Sequence, residues 1–313
     1  MKSSPEQVMT KSKGIVFDIK RFATHDGNGI RTTMFFKGCP LRCKWCHNPE
    51  GLKKQPQILY MENQCIHCQT CVHTAKNKGV EWVDGNIVIH RDIKDNWDEI
   101  VYMCPTTAIC FDSKEYTFVA ACDELLKDIA FFSYGGGVTF SGGEPFLQHE
   151  FMLSLLKECK RRNVHTAIES SFYTDLDIVK KVVPYLDQIY CDCKLFDEQK
   201  HIEYTGISNQ KIRKNIEYLL TSEHKDKVII RTPLIPTMSA TEENIASISS
   251  FLSNLYPDVK YELLNYNPLA KSKYAYLDME FCFKDNPELY TSSQMEEFYS
   301  IALKNGIKNL IKA

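Results

Sequence analysis

Apolar and polar residues alternate along this chain in blocks that are typical of a parallel α/β protein. Apolar runs predict six strands, at residues 32–37, 138–141, 165–170, 188–194, 228–234 and 261–266. Amphipathic stretches predict helices at residues 147–161, 175–183, 210–221, 242–254 and 292–304. Strands that alternate with helices in this way favour a parallel sheet. We therefore expect an α/β fold in the form of an incomplete (β/α)6 barrel.

Polar or glycine-rich residues follow nearly every predicted strand. They are residues 141–145 (Ser-Gly-Gly-Glu-Pro), residues 169–171 (Glu-Ser-Ser), Asp192, Lys194, Arg231, Thr232 and residues 265–267 (Asn-Tyr-Asn). Barrels of alternating strands and helices carry their active sites at the C-terminal ends of the strands. The pattern therefore predicts one site on one rim of the sheet.

Composition restricts the function further. The chain has 313 residues, 43% of them hydrophobic, which is enough for a large core. Its net charge of −2 argues against nucleic acid as a partner. Residues 1–13 lack the apolar core of a signal peptide, and no apolar run approaches the ~20 residues of a membrane span. We expect a soluble, cytoplasmic protein that does not contact membranes, and a monomer.

The 13 cysteines of the chain indicate metal ligation, because a reducing cytoplasm does not favour disulfides. Cys39, Cys43 and Cys46 form a C-x3-C-x2-C run. Three thiolates can hold a cubane of four irons and leave one iron open for a substrate. The alternative is a structural zinc site, for which only His47 offers a nearby fourth ligand.

A second group of cysteines lies in an insert between the first two predicted strands. Cys65, Cys68 and Cys71 form a C-x2-C-x2-C run, and Cys104 precedes a proline. In two-cluster ferredoxins each such run gives its fourth cysteine to the other cluster. The positions that would bind the other cluster are occupied by Ala75, Lys94, Trp97 and Ile100. The spacing therefore predicts one accessory 4Fe–4S cluster, with zinc as the alternative and Cys110 as a substitute ligand.

The remaining cysteines are scattered among predicted helices and strands, where we expect small buried core residues. They are Cys122, Cys159, Cys191, Cys193 and Cys282. We expect three parts: residues 1–51 as the start of the barrel with the cluster loop, residues 52–120 as a ferredoxin-like Fe–S insert, and residues 121–313 as the rest of the barrel. Clusters of this kind favour an anaerobic host.

Residues 24–50, with the cysteine run at their centre, and the later Gly-Gly-Glu at 142–144 carry a resemblance to a known family. The chain resembles the glycyl-radical-enzyme activating enzymes of the radical S-adenosylmethionine (SAM) superfamily, such as pyruvate formate-lyase activating enzyme. The resemblance implies that the cluster on Cys39, Cys43 and Cys46 binds SAM and reductively cleaves it to a 5′-deoxyadenosyl radical.

The resemblance also implies which residues contact SAM. The backbone around Trp45, Cys46 and His47 is expected to hold adenine. Gly142 and Gly143 allow close approach of the backbone, and Glu144 is an acceptor for the ammonium group. Lys194 and Arg231 neutralise the SAM carboxylate or orient the ribose, with Asp192 accepting a hydrogen bond.

Three positions depart from the family pattern. Glu169-Ser170-Ser171-Phe172 stands where the family commonly has Asp-Thr-Ser-Gly, Asn267 replaces a usual histidine that contacts SAM, and Asn28 replaces a proline. The first departure leaves open an associated cation. The loop around Asn28, from Asp26 to Arg31, is expected to bind the partner protein near its incoming glycine.

The expected function is removal of one hydrogen atom from a glycine of a partner glycyl radical enzyme. Flavodoxin or ferredoxin is the expected electron donor. The alternatives are a radical SAM enzyme that modifies a peptide or small molecule, and a non-catalytic Fe–S electron carrier. The position of the extra cysteines between the first two strands, rather than in a C-terminal extension, favours the activating enzyme.

Overall fold

The computed structural model describes residues 12–312, so the expectation for the N-terminal segment 1–13 lies almost wholly outside the described residues. The strands are β1 Lys13–Ala23, β2 Arg31–Phe36, β3 Ile58–Tyr60, β4 Val80–Val83, β5 Asn86–Ile89, β6 Ile109–Phe111, β7 Lys114–Thr117, β8 Gly137–Gly142, β9 Thr166–Ser170, β10 Gln188–Asp192, β11 Val228–Pro233, β12 Lys260–Leu264 and β13 Asn309–Ile311. The helices are α1 Thr70–Thr74, α2 Trp97–Tyr102, α3 Phe118–Leu126, α4 His149–Arg161, α5 Leu176–Val182, α6 Glu198–Thr205, α7 Gln210–Thr221, α8 Glu242–Leu255, α9 Lys271–Ala275 and α10 Ser292–Lys304.

Nine strands form one mixed sheet in the order β13-β12-β11-β10-β9-β8-β2-β1-β7. The seven strands from β13 to β2 are parallel, whereas β1 pairs antiparallel with both β2 and β7. All six predicted strands are present in the parallel part, and all five predicted helices are present. The α/β class is confirmed. The elements that were not predicted are strands β1, β3, β4, β5, β6, β7 and β13 and helices α1, α2, α3, α6 and α9.

The parallel strands have one apolar face and one polar face, because side chains alternate across a strand. In β2, Met34 and Phe36 join the main hydrophobic core under the helices, while Thr33 points to the other face. The same alternation puts polar residues in register across the inner face. The paired residues there are Thr33 with Thr139, Glu169 with Tyr190, Asp192 with Arg231, and Arg231 with Glu262. The sheet thus encloses a polar interior.

The insert between β2 and β8 has its own small core. Two antiparallel pairs, β3 with β6 and β4 with β5, pack with α1 and α2 around buried residues that include Ile100 and Cys71. A buried ion pair joins the insert to the main sheet: Lys37 Nζ lies 2.6 Å from Asp112 Oδ2. None of the helices within residues 12–312 is long and apolar enough to cross a membrane.

Candidate metal and cofactor site

A cavity of about 410 Å³ opens at the C-terminal ends of the parallel strands, on the rim where the sequence predicts a site. Most of the predicted residues line it. They are Cys39, Cys43, Trp45, Cys46, His47, Gly142, Gly143, Asp192, Lys194, Arg231 and Asn267. These residues come from five separate parts of the chain, so the fold brings them together as the rim argument requires.

The cysteine loop follows β2 and is held by its backbone rather than by the thiols. Cys39 N donates to Leu52 O at 3.2 Å, and Arg42 N and Lys44 N donate to carbonyls at the end of α6, at 2.7 and 3.0 Å. All three thiols are free. Burial raises the pKa of each thiol, that of Cys46 to about 12. Three free thiols on one wall of a cavity are the ligand set that an iron–sulfur cluster with one open iron needs.

Gly142 and Gly143 are required by the packing of this loop. Gly142 has φ +124°, and a Cβ there would lie 2.3 Å from the Phe36 nitrogen. A Cβ at Gly143 would lie 2.3 Å from the carbonyl oxygen of Gly38, the residue before Cys39. The two glycines therefore let the end of β8 touch the cluster loop while both still face the cavity.

Glu144 does not line the cavity, in contrast to the expectation that it accepts a hydrogen bond from SAM. Its carboxylate is fully buried and accepts from Ser170 Oγ at 2.6 Å and from Ser171 Oγ and N at 2.5 and 3.0 Å. Burial raises the pKa of Glu144, and these hydrogen bonds oppose the shift. The role is structural: Glu144 joins the end of β8 to the turn after β9.

Arg231 lines the cavity but is already paired. Its Nη1 donates to Glu169 and its Nε to Glu262, both at 2.7 Å, and its guanidinium lies 3.7 Å from the ring centre of Tyr190. Burial opposes the charge, yet the two carboxylates raise the pKa of Arg231. The sequence predicts Arg231 as a cation for the carboxylate of a ligand. In the structure two glutamates already neutralise its charge.

Lys194 is the cation that remains at the cavity wall. Its Nζ donates to Asp192 Oδ2 at 2.5 Å, and its side chain is 14% exposed. Burial lowers its pKa, but Asp192 and Cys43 outweigh that effect and raise it, so the amine is charged at neutral pH. The position combines a positive charge, a neighbouring carboxylate and the cysteine loop.

The other predicted residues of the rim have mixed surroundings. Trp45 is 4% exposed and packs with Leu195, Ile235 and Tyr266, so it is a core residue whose edge reaches the cavity. Burial, with Lys194 nearby, lowers the pKa of His47. Asn267 caps a short turn through a 3.0 Å bond from Leu269 N.

In the loop predicted to bind a partner, Arg31 and Asp26 have different surroundings. Arg31 is fully buried and donates to Thr139 Oγ and Val138 O, both at 2.6 Å, and to Asn28 O at 3.2 Å. It therefore anchors the loop from inside and is not a contact surface, which corrects the expectation. Asp26 is partly exposed and accepts from Thr33 Oγ at 2.7 Å on the inner face of the sheet.

The four cysteines of the insert line a second, smaller cavity. Cys65, Cys68, Cys71 and Cys104 all face it, whereas Cys110 is on β6 and does not. Within residues 12–312 no three Cys, His, Asp or Glu side chains converge closely enough to hold a single metal ion. A four-iron cluster does not need such convergence, because each thiolate binds a different iron. The donor set fits the predicted cluster.

Sequence reasoning missed the interior network around Arg231. Glu262 is not among the predicted rim residues, and Glu169 is predicted only as a polar residue after a strand and as a departure from a family motif. Both were detectable as charged residues inside apolar strands, where an unpaired charge would be costly and a partner on the same face is expected. Ser170 and Ser171 were likewise noted without their function as donors to Glu144.

Known proteins resemble this chain over nearly its whole length. The family of the 4Fe–4S single cluster domain matches residues 25–213. The 4-hydroxyphenylacetate decarboxylase activating enzyme of Clostridium scatologenes is 34% identical over 305 residues, which are 95% of this chain and 96% of that protein. The isethionate sulfite-lyase activating enzyme of Nitratidesulfovibrio vulgaris is 37% identical, over 86% of this chain and 89% of that protein. The choline trimethylamine-lyase activating enzyme of Oleidesulfovibrio alaskensis is 35% identical, over 90% of this chain and 92% of that protein.

Proposed function

The chain belongs to the radical SAM activating enzymes of glycyl radical enzymes, and from that premise we propose how its own residues carry out the activation. Cys39, Cys43 and Cys46 hold a 4Fe–4S cluster with one open iron that binds SAM. When bound there, the cluster supplies the electron that cleaves SAM to methionine and a 5′-deoxyadenosyl radical. The observation that carries the proposal is that three free thiols and the charged Lys194 share one cavity.

The cavity residues position and shield SAM. Lys194 is placed to neutralise the SAM carboxylate, because Arg231 is already paired with two glutamates. Asp192 orients the Lys194 amine through their hydrogen bond. Gly142 and Gly143 offer backbone groups to the amino-acid end of SAM. The backbone at Trp45 to His47, together with Asn267 of the same cavity, borders the adenine.

We propose a second 4Fe–4S cluster on Cys65, Cys68, Cys71 and Cys104, and no third. Support comes from the shared cavity of these four thiols. Three of the four positions that would bind another cluster have apolar surroundings: Ala75 and Trp97 pack against the core of the insert, and Ile100 is fully buried in it. Zinc on the same thiols remains the competing occupant, which an iron count distinguishes.

The architecture that we propose is an incomplete (β/α)6 radical SAM barrel interrupted by a ferredoxin-like insert. Residues 1–51 and 121–313 form the barrel, and residues 52–120 form the insert. The separate core of the insert supports this division. The C-terminal end of the insert is the exception, because β7 pairs with β1 in the main sheet and Phe118 packs against the main core. The cytoplasmic location and the monomeric state stay predictions from the sequence.

The partner that we propose is a glycyl radical enzyme whose glycine enters the polar interior of the barrel. The named relatives activate a decarboxylase and two lyases, and we propose a client from these classes. Asp26 supports this route, because it lies on the inner face of the sheet. Burial raises the pKa of the cavity residue Glu169, and the nearby charge of Asp26 raises it further. Flavodoxin or ferredoxin is the proposed electron donor.

The test compares two cysteine variants after anaerobic reconstitution with iron and sulfide. With dithionite and SAM, wild-type protein is expected to contain about eight irons and to release 5′-deoxyadenosine. Cys43→Ala should abolish the release, whereas Cys68→Ala, the matched loss of one ligand in the insert, should retain it. The electron paramagnetic resonance spectrum of wild type should change when SAM is added. Equal cleavage in the wild type and Cys43→Ala would refute the assignment of the cluster site.

A further inference from the structure

Tyr60 places a buried hydroxyl group in the core of the insert. It is the last residue of β3, and it packs against the cluster of buried side chains that contains Cys71, as Cys65 and Cys104 also do. Its oxygen is buried and has no hydrogen-bond partner among the described residues. An unsatisfied buried polar atom is destabilising, so a native structure that keeps one requires an explanation.

The backbone on both sides fixes the direction of this side chain. Tyr60 pairs with Ile109 of β6, and its N–H donates to Tyr276 O at 3.1 Å. Burial raises the pKa of the hydroxyl, and the neighbouring Cys65 sulfur raises it further, followed by Glu62 and Cys71. Cys65 is thus the sulfur with the strongest electrostatic effect on this hydroxyl, although no hydrogen bond joins the two groups.

We propose that the Tyr60 hydroxyl donates a hydrogen bond to the Cys65 sulfur when the accessory cluster is bound, and that this bond raises the reduction potential of that cluster. The inference rests on the accessory cluster of the proposed function. A cluster-bound thiolate carries more negative charge than a thiol and accepts hydrogen bonds more strongly. Reduction adds one electron to the cluster, so the bond is stronger in the reduced state. Hydrogen bonds to the sulfurs are one of the factors that set the potential.

Two other donors near these sulfurs are exposed, whereas the part-buried Thr106 Oγ lies 3.9 Å from Cys104 Sγ. His67 N–H donates to Cys65 Sγ at 3.4 Å and Thr70 Oγ donates to Cys68 Sγ at 3.3 Å, and both bonds are exposed. Water competes with exposed donors, whereas a donor in a low-dielectric interior acts at greater strength. The Tyr60 hydroxyl is therefore a donor that is protected from water and has no other partner among the described residues.

The experiment is a redox titration of the reconstituted protein, followed by the paramagnetic signal that does not change when SAM is added. Tyr60→Phe removes only the hydroxyl, and Tyr102→Phe is the matched control, because Tyr102 lies in the same insert and is 86% exposed. At a fixed ambient potential we expect Tyr60→Phe to lower the ratio of reduced to oxidised accessory cluster about tenfold, a shift of about 59 mV for one electron. Tyr102→Phe should leave the ratio unchanged.

A second variant keeps the test independent of any loss of folding. Replacement of Tyr60 by 3-fluorotyrosine retains the ring and makes the hydroxyl a stronger donor, so the ratio should rise instead. A wild-type iron content near eight with equal potentials in wild type and Tyr60→Phe would overturn the Tyr60 proposal alone. A wild-type content near four would remove the accessory cluster and this proposal with it. An equal shift of the ratio of reduced to oxidised cluster in Tyr102→Phe would also overturn the Tyr60 proposal.

Discussion

Replacement of Lys37 by methionine is expected to lower the free energy of unfolding by about 3–5 kcal/mol. Lys37 directly precedes the cluster loop, and its Nζ donates to Asp112 Oδ2 at 2.6 Å and to Glu50 O at 2.5 Å. Both members of the ion pair are 0% exposed. Methionine has a similar length and volume, so the change removes the charge and the donor without opening a large cavity.

The magnitude comes from the carboxylate that remains and not from the strength of the pair. Burial lowers the pKa of Lys37 by more than Asp112 restores, which means that desolvation outweighs the attraction. Such a pair adds little stability by itself, but removal of one member leaves a buried charge without compensation. Asp112 keeps bonds from Gln57 N at 3.0 Å and Ser113 Oγ at 2.8 Å, so we expect a loss near the lower limit.

The assay is anaerobic thermal unfolding of reconstituted proteins with equal iron content at one scan rate. With about 2 °C per kcal/mol for a chain of this size, Lys37→Met should lower the apparent Tm by about 6–10 °C. The double variant Lys37→Met/Asp112→Leu should recover most of that loss, and Lys53→Met, a change at an exposed lysine of the following loop, should have no effect. A double variant as unstable as the single one would refute the reasoning.

Two further predictions concern the loop before β2 and the core. Arg31→Met removes the buried hydrogen bonds to Thr139 and Val138 and the part-buried one to Asn28. We expect faster amide hydrogen exchange in residues 24–30 and at least tenfold slower glycyl radical formation, with SAM cleavage retained. Unchanged exchange would contradict this. Cys159→Ala concerns pH: burial raises the pKa of Cys159 from 9.0 to about 12, so its stabilising contribution is complete below pH 9 and is lost as pH rises towards 12. Between pH 9.5 and 11 wild type should therefore lose about 1.4 kcal/mol per pH unit more than the variant, measured by denaturant unfolding, and parallel pH profiles would show that the thiol does not contribute.

The strands that the sequence predicts are those whose apolar residues are contiguous or alternate locally. Strand β11, Val228–Pro233, is buried on both faces except at its end, and such a run stands out in the sequence. Strand β1 is eleven residues long but mostly exposed after Val16, so it lacks that signal. Strand β13, Asn309–Ile311, exists because its three residues pair with β12. A pairing of that kind depends on tertiary structure that no local pattern contains.

The site residues also divide into those that a local sequence pattern predicts and those whose position depends on tertiary structure. Glycines at a strand end and cysteines at ligand spacing have a local signature, and the structure gathers them at one rim. The direction of a side chain has no such signature. Glu144 turns inward because its acceptor positions are filled by Ser170 and Ser171, which follow it by more than 25 residues. Arg231 is paired because Glu262 lies opposite it on the neighbouring strand β12, while Glu169 on β9 reaches it from two strands away.

One part of the insert has other residues at the four positions where a ferredoxin with two clusters has the cysteines of the second cluster. The two segments that would share that cluster, residues 75–79 and 94–100, meet at Asp95. Its carboxylate accepts four backbone N–H bonds of 2.8–3.0 Å, from Lys76, Asn77, Gly79 and Asn96. Burial opposes the charge, yet these bonds lower the pKa of Asp95. A carboxylate and an apolar core therefore join these two segments.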